Sequence, residues 1–209
     1  MNNKGFSLRE FVLVLLIMAI VIIVVLNLFF KGNDSIPNKN FRNLAKDFSI
    51  SATHLHDEDV RFTFRVFLAD AIKLDYMDEL TNPYNKKEKC DKYESVIKFD
   101  DNSRKKITIK CGNYLIFNED GYDKVEDYKI YKVSKWSEKE ATGSDVQTET
   151  FYNYSINGNM VLDRFMIEKE FLEEYSKKSG TNILSLTQVD EAKYKLEKKT
   201  FYRTLTEVD

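Results

Sequence analysis

The chain has 209 residues, with 34 acidic and 32 basic side chains and a formal net charge of −2. This length allows one domain with an elaborated end, and an apolar share of 43% is enough for a core, which excludes a disordered chain. The near balance of charge excludes a strongly basic nucleic-acid-binding domain.

The first thirty residues combine a charged start with a long apolar run. The string Lys4-Gly5-Phe6-Ser7-Leu8-Arg9-Glu10 leads directly into an almost uninterrupted apolar stretch, residues 11–30. An ionised carboxylate is costly to bury in hydrocarbon unless it has a partner. Glu10, at the edge of a membrane-length segment, is therefore a candidate functional residue.

This string resembles the class III leader of type IV prepilins and pseudopilins. The resemblance implies cleavage by a prepilin peptidase between Gly5 and Phe6, and N-methylation of Phe6. It also implies that the Glu10 carboxylate pairs with the terminal amine of a neighbouring subunit during assembly. The spacing agrees, because residues four apart on a helix lie on one face with a rise of about 6 Å.

Other kinds of N-terminal segment are also considered. A secretory signal peptide has a shorter apolar core and a small-x-small cleavage site, and the run here ends in Asn27-Leu28-Phe29-Phe30-Lys31. A plain signal-anchor helix stays open, because about 20 apolar residues span a bilayer. Lys4 and Arg9 precede the run, which predicts a cytoplasmic N-terminus. We therefore expect a single-pass protein of the cytoplasmic membrane that later enters an extracytoplasmic filament.

The next segment is predicted to bend and then to become helical. Residues 32–37 contain Gly32 and Pro37, which break a helix just beyond the apolar run. A helix can resume over residues 41–48, and Asp57 is a good N-cap for a second one. Apolar residues at helical spacing follow it and predict a helix that covers a sheet: Val60, Phe64, Phe67, Leu68, Ala71 and Ile72.

Short strand-like runs follow the turn that Pro83 marks. They cover residues 93–99, 106–111, 114–118 and 128–133, and turn-forming residues separate them. Short connections favour antiparallel pairing. The sequence therefore predicts a small antiparallel meander.

Cys90 and Cys111 are the only cysteines and enclose 20 residues. They match no zinc pattern, since no further Cys or His ligands stand at short spacing. Outside the membrane an oxidising environment favours a disulfide, which would stabilise the fold by about 3 kcal/mol. Two unrelated buried thiols are the alternative.

A helix followed by an antiparallel meander and one disulfide is again similar to a type IV pilin. The residues Leu80-Thr81-Asn82-Pro83-Tyr84, then Cys90, Tyr93 and the stretch 110–116, resemble minor pilins of Gram-positive bacteria. The two resemblances cover roughly residues 1–118. They imply an α+β, type IV pilin-like fold, in which a long N-terminal transmembrane helix packs on a small antiparallel sheet.

The C-terminal part is predicted to add a helix and a hairpin. Ile167, Phe171 and Tyr175 recur every four residues within 162–178, and Gly180 is a natural helix stop. Residues 182–186 and 194–205 could form a hairpin, and 137–143 is expected to be a loop.

The sequence thus divides into a leader (1–5), a transmembrane and assembly helix (6–30), a connector (31–56), a globular domain (57–135) and an extension (136–209). The extension either binds a partner or simply packs on the domain.

Candidate metal ligands are few. His54 and His56 precede three acidic residues, but a solvated helix start explains this pattern better than a metal site. Residues 118–123 offer oxygen ligands and a turn glycine without the spacing of an EF-hand, so an ordinary acidic turn is preferred to a calcium site. We therefore predict no metal and no cofactor.

A small basic and aromatic cluster could contact DNA. It consists of Lys86, Lys87, Lys89 and Lys92 beside Tyr84 and Tyr93. Because Glu88, Asp91 and Glu94 are interleaved with these residues, a solvated surface is the preferred interpretation.

No phosphate loop, nucleophile elbow or zinc-protease motif is present. We therefore predict a non-catalytic structural subunit, a minor pilin or pseudopilin of a type IV pilus-like filament. Its expected partners are the membrane, a prepilin peptidase, other pilin subunits and the pilus assembly platform. The alternatives are a membrane-anchored binding module that does not polymerise, and a DNA-receptor subunit of a competence pseudopilus.

Overall fold

The computed structural model describes Met18 and residues 36–117, 128–143 and 145–208. The chain divides into two compact units, Met1–Ile36 and Pro37–Asp209. Of the first unit, the description covers only Met18, an exposed helical residue, and Ile36. The architecture below is that of the second unit.

Helix α1, Ile36–Glu58, forms one side of the main hydrophobic core. A stripe of small and aromatic residues is almost completely buried along it: Phe41, Ala45, Phe48, Ala52 and Leu55. Their alternating spacing of four and three residues keeps them on one helical face. The helix predicted over 41–48 is confirmed, but it continues without a break to Glu58, so Asp57 is not an N-cap.

The amphipathic helix predicted after Asp57 is wrong. A 3-10 turn occupies Val60–Phe62, strand β1 follows at Arg65–Phe67, and helix α2 is limited to Leu68–Lys73. Asp59 caps the turn by accepting a hydrogen bond from the Arg61 backbone N–H at 2.9 Å. Val60 and Phe64, assigned to the buried face, are 89% and 69% exposed, because backbone pairing with β2 outweighs the local helical spacing.

Strands β2 to β5 form the predicted antiparallel meander. They cover Val96–Phe99, Lys105–Cys111, Tyr114–Phe117 and Lys129–Val133. Each strand pairs with the next, and β1 pairs with β2 at the edge. Alternate residues of β2 and β3, among them Ile97 and Ile109, point towards the stripe of α1 and are fully buried.

The C-terminal half contributes four more strands and one helix. The strands are β6, Val146–Ile156; β7, Asn159–Met160; β8, Met166–Ile167; and β9, Lys195–Glu207, and helix α3 covers Glu168–Ser179. The sheet has the order β1-β2-β3-β4-β5-β9-β6-β7, and β8 pairs with β6. All these pairings are antiparallel, and the sheet curls into a half-barrel.

The helix predicted within 162–178 is confirmed as α3, which extends one residue further to Ser179, and Gly180 ends it with φ 71°. The predicted hairpin of 182–186 with 194–205 is wrong. β9 pairs with β6 over ten residue pairs instead, because β6 presents a longer run of β-branched and aromatic residues. Residues 182–186 lie instead beside a second hydrophobic core, which includes Tyr154, Phe171 and Tyr175, and Ile183 is buried in it.

The expected type IV pilin-like fold is therefore wrong. Over the described ranges the structure is a nine-stranded antiparallel sheet with α-helices of 23, 6 and 12 residues. The sheet is not small, and the C-terminal part is not an appended helix and hairpin, because β9 lies inside the sheet. Long-range pairing of this kind leaves no local pattern in the sequence.

The expected single-pass localisation is also contradicted. Among the residues that the structure describes, no helix is both long and apolar enough to cross a bilayer. The apolar segment on which that expectation was based, 6–30, lies outside the described residues apart from Met18.

A disulfide joins Cys90 to Cys111. The two residues also form an antiparallel β-bridge, so the bond attaches the loop before β2 to the end of β3. Asn82 in this loop is buried, and its side-chain amide donates to Glu88 Oε2 at 2.7 Å. The loop is thus held by a covalent bond and by buried hydrogen bonds.

Gly112 lies where this loop meets the β3–β4 turn, and it provides a test of the packing. Its φ is +57°, and a Cβ there would lie 2.4 Å from Glu88 Oε2 and 2.7 Å from Asn82 Nδ2. Gly158 also has a positive φ, but open space surrounds it. We expect Gly112→Ala to lower the free energy of unfolding by about 1 kcal/mol more than Gly158→Ala, because it also disrupts the Asn82–Glu88 hydrogen bond. Urea unfolding of both variants measures this, and equal losses would contradict the close packing.

Candidate functional site

A groove of about 330 Å³ lies beside α2, α3 and the loop after α3. This volume is at the lower end of the range of about 300–1,000 Å³ found for small-molecule sites. Apolar side chains line part of it, including Phe62, Phe67, Leu172 and Ile183. The charged side chains that line it are Arg61, Arg65, Asp70, Lys73, Lys169, Glu173 and Lys177. We refer to it as the α2–α3 groove.

Lys169 is the central charged residue of the groove. Its Nζ lies 2.5 Å from Asp70 Oδ1 and 3.5 Å from Glu173 Oε1. The three side chains are only 14%, 12% and 17% exposed. Electrostatic contacts are stronger in such a shielded position than in water, so this ion pair joins α2 firmly to α3.

Arg65 forms a second link between the same regions. Its guanidinium donates to both Glu168 carboxylate oxygens, at 3.1 and 2.5 Å, and its centre lies 5.3 Å from the Phe67 ring. The hydrogen bonds from Arg65 to Glu168 raise the pKa of the guanidinium. A two-pronged contact of this type fixes orientation as well as distance.

Tyr93 extends the charged cluster from the loop before β2. Its hydroxyl donates to Glu173 Oε2 at 3.0 Å. Burial raises the pKa of Tyr93, and the negative charge of Glu173 raises it further. The phenol is therefore neutral and holds the Glu173 carboxylate in place.

The groove is almost balanced in charge despite its basic lining. Five lining residues are cationic and two are acidic, but Arg61, Arg65 and Lys177 pair with the carboxylates of Asp59, Glu168 and Glu174. Such a groove is not a strong anion site. Its distinctive feature is an amine and a carboxylate held in contact beside a second carboxylate.

A second charged cluster lies on β9, where Arg203 is buried. Its Nη1 donates to Glu94 Oε2 at 2.5 Å, its Nε donates to Gln147 Oε1 at 2.7 Å, and its guanidinium lies 4.1 Å from the Trp136 ring. Burial lowers the pKa of Arg203, and Glu94 opposes this effect. Lys110 is nearby, and burial lowers its pKa as well. The cluster connects β9 to the loop before β2.

The two histidines are in different surroundings. They lie near the C-terminal end of α1, not at a helix start, so the sequence interpretation is wrong here. His56 stacks on Phe99 at 4.1 Å, with Nδ1 3.3 Å from the Phe62 carbonyl oxygen, whereas His54 is exposed. In the part of the chain that the structure describes, no three His, Cys, Asp or Glu residues are placed to hold a metal ion.

The basic and aromatic cluster is not a single surface. Tyr84 stacks on Tyr114 at 3.9 Å and contacts Phe41 of α1, so its partly buried ring packs against the core. Tyr93 is bound to Glu173, and Lys92 lies 4.9 Å from its ring. Lys86, Lys87 and Lys89 are exposed on the loop before Cys90. The structure therefore divides the predicted cluster: the Tyr84 ring packs against the core, whereas Lys92 stays beside the Tyr93 ring.

Several sequence-predicted sites lie outside the described residues. These are Gly5, Phe6 and Glu10 of the leader, and the acidic segment 118–123. The charged contacts of Lys169 and Arg203 were not predicted. For Lys169 one local signal existed, because Glu173 follows it by one helical turn. No sequence pattern indicated Asp70 or Glu94 as the long-range partners.

Comparisons with models of known protein families, with curated proteins and with solved structures find no match to this chain. The functional assignment therefore depends on the residues of the chain itself.

Replacement of Arg203 tests the buried pair on β9. We expect Arg203→Met to lower the free energy of unfolding by about 3–5 kcal/mol, because Glu94 stays buried without its partner. The double variant Arg203→Met/Glu94→Leu should recover most of this loss. Urea unfolding followed by the fluorescence of Trp136, the single tryptophan, measures both values.

The exposed ion pair Lys199–Glu138 is the matched control, with 3.0 Å between Nζ and Oε2. Lys199→Met should cost at most about 1 kcal/mol. If Arg203→Met costs no more than this control, the buried pair does not stabilise the position of β9.

The Tyr93–Glu173 hydrogen bond predicts a dependence of stability on pH. The pKa of Tyr93 is raised in the folded state above the ordinary value of about 10. Its contribution is therefore complete below pH 10 and is lost as the pH rises through the folded pKa. We expect Tyr93→Phe to be less stable than wild type at pH 7, and to lose stability less steeply above pH 10. Urea unfolding across this range tests it, and parallel pH profiles would contradict it.

Proposed function

We propose that this protein is a non-catalytic structural subunit of a type IV pilus-like filament. In this proposal a prepilin peptidase cleaves the chain between Gly5 and Phe6, and the N-terminal segment then mediates assembly with other subunits and the assembly platform. The observation that carries the proposal is the string Lys4-Gly5-Phe6-Ser7-Leu8-Arg9-Glu10, followed by the apolar run 11–30.

Glu10 gives the proposal a physical basis for assembly. Cleavage would create a positive amine on Phe6, and a carboxylate four residues further on could neutralise the amine of a neighbouring subunit. A charge pair within an apolar assembly specifies register, because either charge alone is costly there.

Two features of the folded unit support a structural role. The Cys90–Cys111 disulfide is typical of proteins that function in an oxidising environment. Helix α1, which directly follows the N-terminal segment, is seated on the sheet by five almost completely buried residues.

Mass spectrometry of the protein from its native cells, with and without the peptidase gene, tests the proposal. We expect a mature chain that starts at N-methylated Phe6 when the peptidase is present, and a chain that retains residues 1–5 when it is absent. A chain that keeps residues 1–5 in cells with active peptidase would overturn the assignment.

Substitution of Glu10 separates processing from assembly. Glu10→Ala should be cleaved like wild type but should be lost from the sheared filament fraction, because the terminal amine then has no partner. Glu140→Ala is the matched control, since Glu140 is an exposed carboxylate on the folded unit. Equal incorporation of both variants would show that Glu10 has no role in assembly.

A further inference from the structure

Lys169 and Asp70 meet in a geometry that suits a covalent reaction as well as an ion pair. The Lys169 Nζ lies 2.5 Å from Asp70 Oδ1, although the residues are 99 positions apart in the chain. A third reactive group is present, because Glu173 Oε1 lies 3.5 Å from the same Nζ. We propose that Lys169 and Asp70 condense to an intramolecular amide bond, with Glu173 as the proton carrier. This inference does not depend on the filament proposal.

Proximity lowers the entropic barrier to this condensation. An amine and a carboxylate free in water do not join to a useful extent, but groups held in a reactive orientation reach effective concentrations of about 10⁵–10⁸ M. Here the fold holds both groups: Asp70 is on α2 and Lys169 is in the first turn of α3. The Phe67 ring, 6.0 Å from Nζ, also shields the amine.

Glu173 is placed to move the protons that the reaction requires. Its carboxylate takes one proton from the Lys169 ammonium, and the neutral amine attacks Cγ of Asp70. Glu173 delivers this proton to an Asp70 oxygen as the C–N bond forms, and it then carries the second proton from the attacking nitrogen to the same oxygen. The C–O bond breaks, and that oxygen leaves as water. In sum, one ammonium and one carboxylate become one amide and one water, so no oxidant or other reactant is needed.

Tyr93 positions the proton carrier. Its hydroxyl donates to Glu173 Oε2 at 3.0 Å. The other carboxylate oxygen, Oε1, is the one that faces Lys169. The two oxygens thus have separate tasks, and Tyr93 restrains the carboxylate without competing for the lysine.

The other ion pairs within the described ranges lack this combination of features. Lys199–Glu138 and Lys177–Glu174 have exposed lysines, so the fold does not shield these amines from water. Arg203–Glu94 is buried, but a guanidinium stays protonated and is a poor nucleophile. Among the residues that the structure describes, Lys169 combines a shielded amine, a touching carboxylate and a second carboxylate within reach.

Mass analysis of the purified full-length protein tests the proposal directly. We expect the reduced, denatured wild-type chain to be lighter than its sequence by one water molecule. A tryptic digest should contain one branched peptide that joins the Lys169 and Asp70 segments. Lys169→Arg should keep the ion pair but abolish both signals, since the guanidinium cannot form the amide. Lys199→Arg is the matched control and should retain them.

Glu173→Gln isolates the proton carrier, because it preserves shape and can still accept the Tyr93 hydrogen bond. We expect it to fold and to show loss of the branched peptide. A wild-type mass equal to that of the sequence would overturn the proposal, as would loss of water that persists in Lys169→Arg. A fully linked Glu173→Gln protein would overturn the role of Glu173. Asp70→Ala should also lack the branched peptide. If this variant fails to fold, the result for Lys169→Arg still decides the outcome.

Discussion

β9 pairs with β5 near its C-terminal end and with β6 along most of its length, and the other long-range contacts follow from this double pairing. Within the described ranges, the path of the sheet from the first five strands to β6 passes only through β9. The same strand carries the buried Arg203, whose contact with Glu94 reaches back to the loop before β2. One strand thus joins the two cores by backbone hydrogen bonds and by a shielded ion pair.

The α2–α3 groove is a product of this arrangement. Helix α2 follows β1 at one edge of the sheet, and α3 follows β8, which pairs with β6. The curl of the sheet brings these helices together, and Asp70 then meets Lys169. The leader motif suggests assembly. In the folded unit, the buried charges described above belong to two ion pairs, Lys169–Asp70 and Arg203–Glu94, and each pair joins distant segments of the chain.

Local patterns predicted local structure well, and they failed where distant segments decide the outcome. Strands β2 to β5 and helix α3 follow from short alternation, turns and helical spacing, because their partners are adjacent in sequence. The segment 57–72 satisfied a helical pattern, but pairing with β2 divided it into a turn, a strand and a short helix. Neither the partner of β9 nor the Lys169–Asp70 contact could be predicted, since each joins residues far apart in the chain and a single sequence contains no signal for that distance.

The strand order also has a kinetic consequence. β5 and β6 follow each other in the chain but are separated in the sheet by β9. Tyr131 of β5 therefore pairs with Glu207 only after β9 has been added to the sheet. Pairing between strands so far apart in the chain slows folding, because loop-closure entropy is lost before the distant contacts compensate for it. Until β9 inserts, β5 and β6 have open edges that can pair with strands of other chains. The time that β9 takes to pair with β5 and β6 therefore determines how long the folding chain is vulnerable to aggregation.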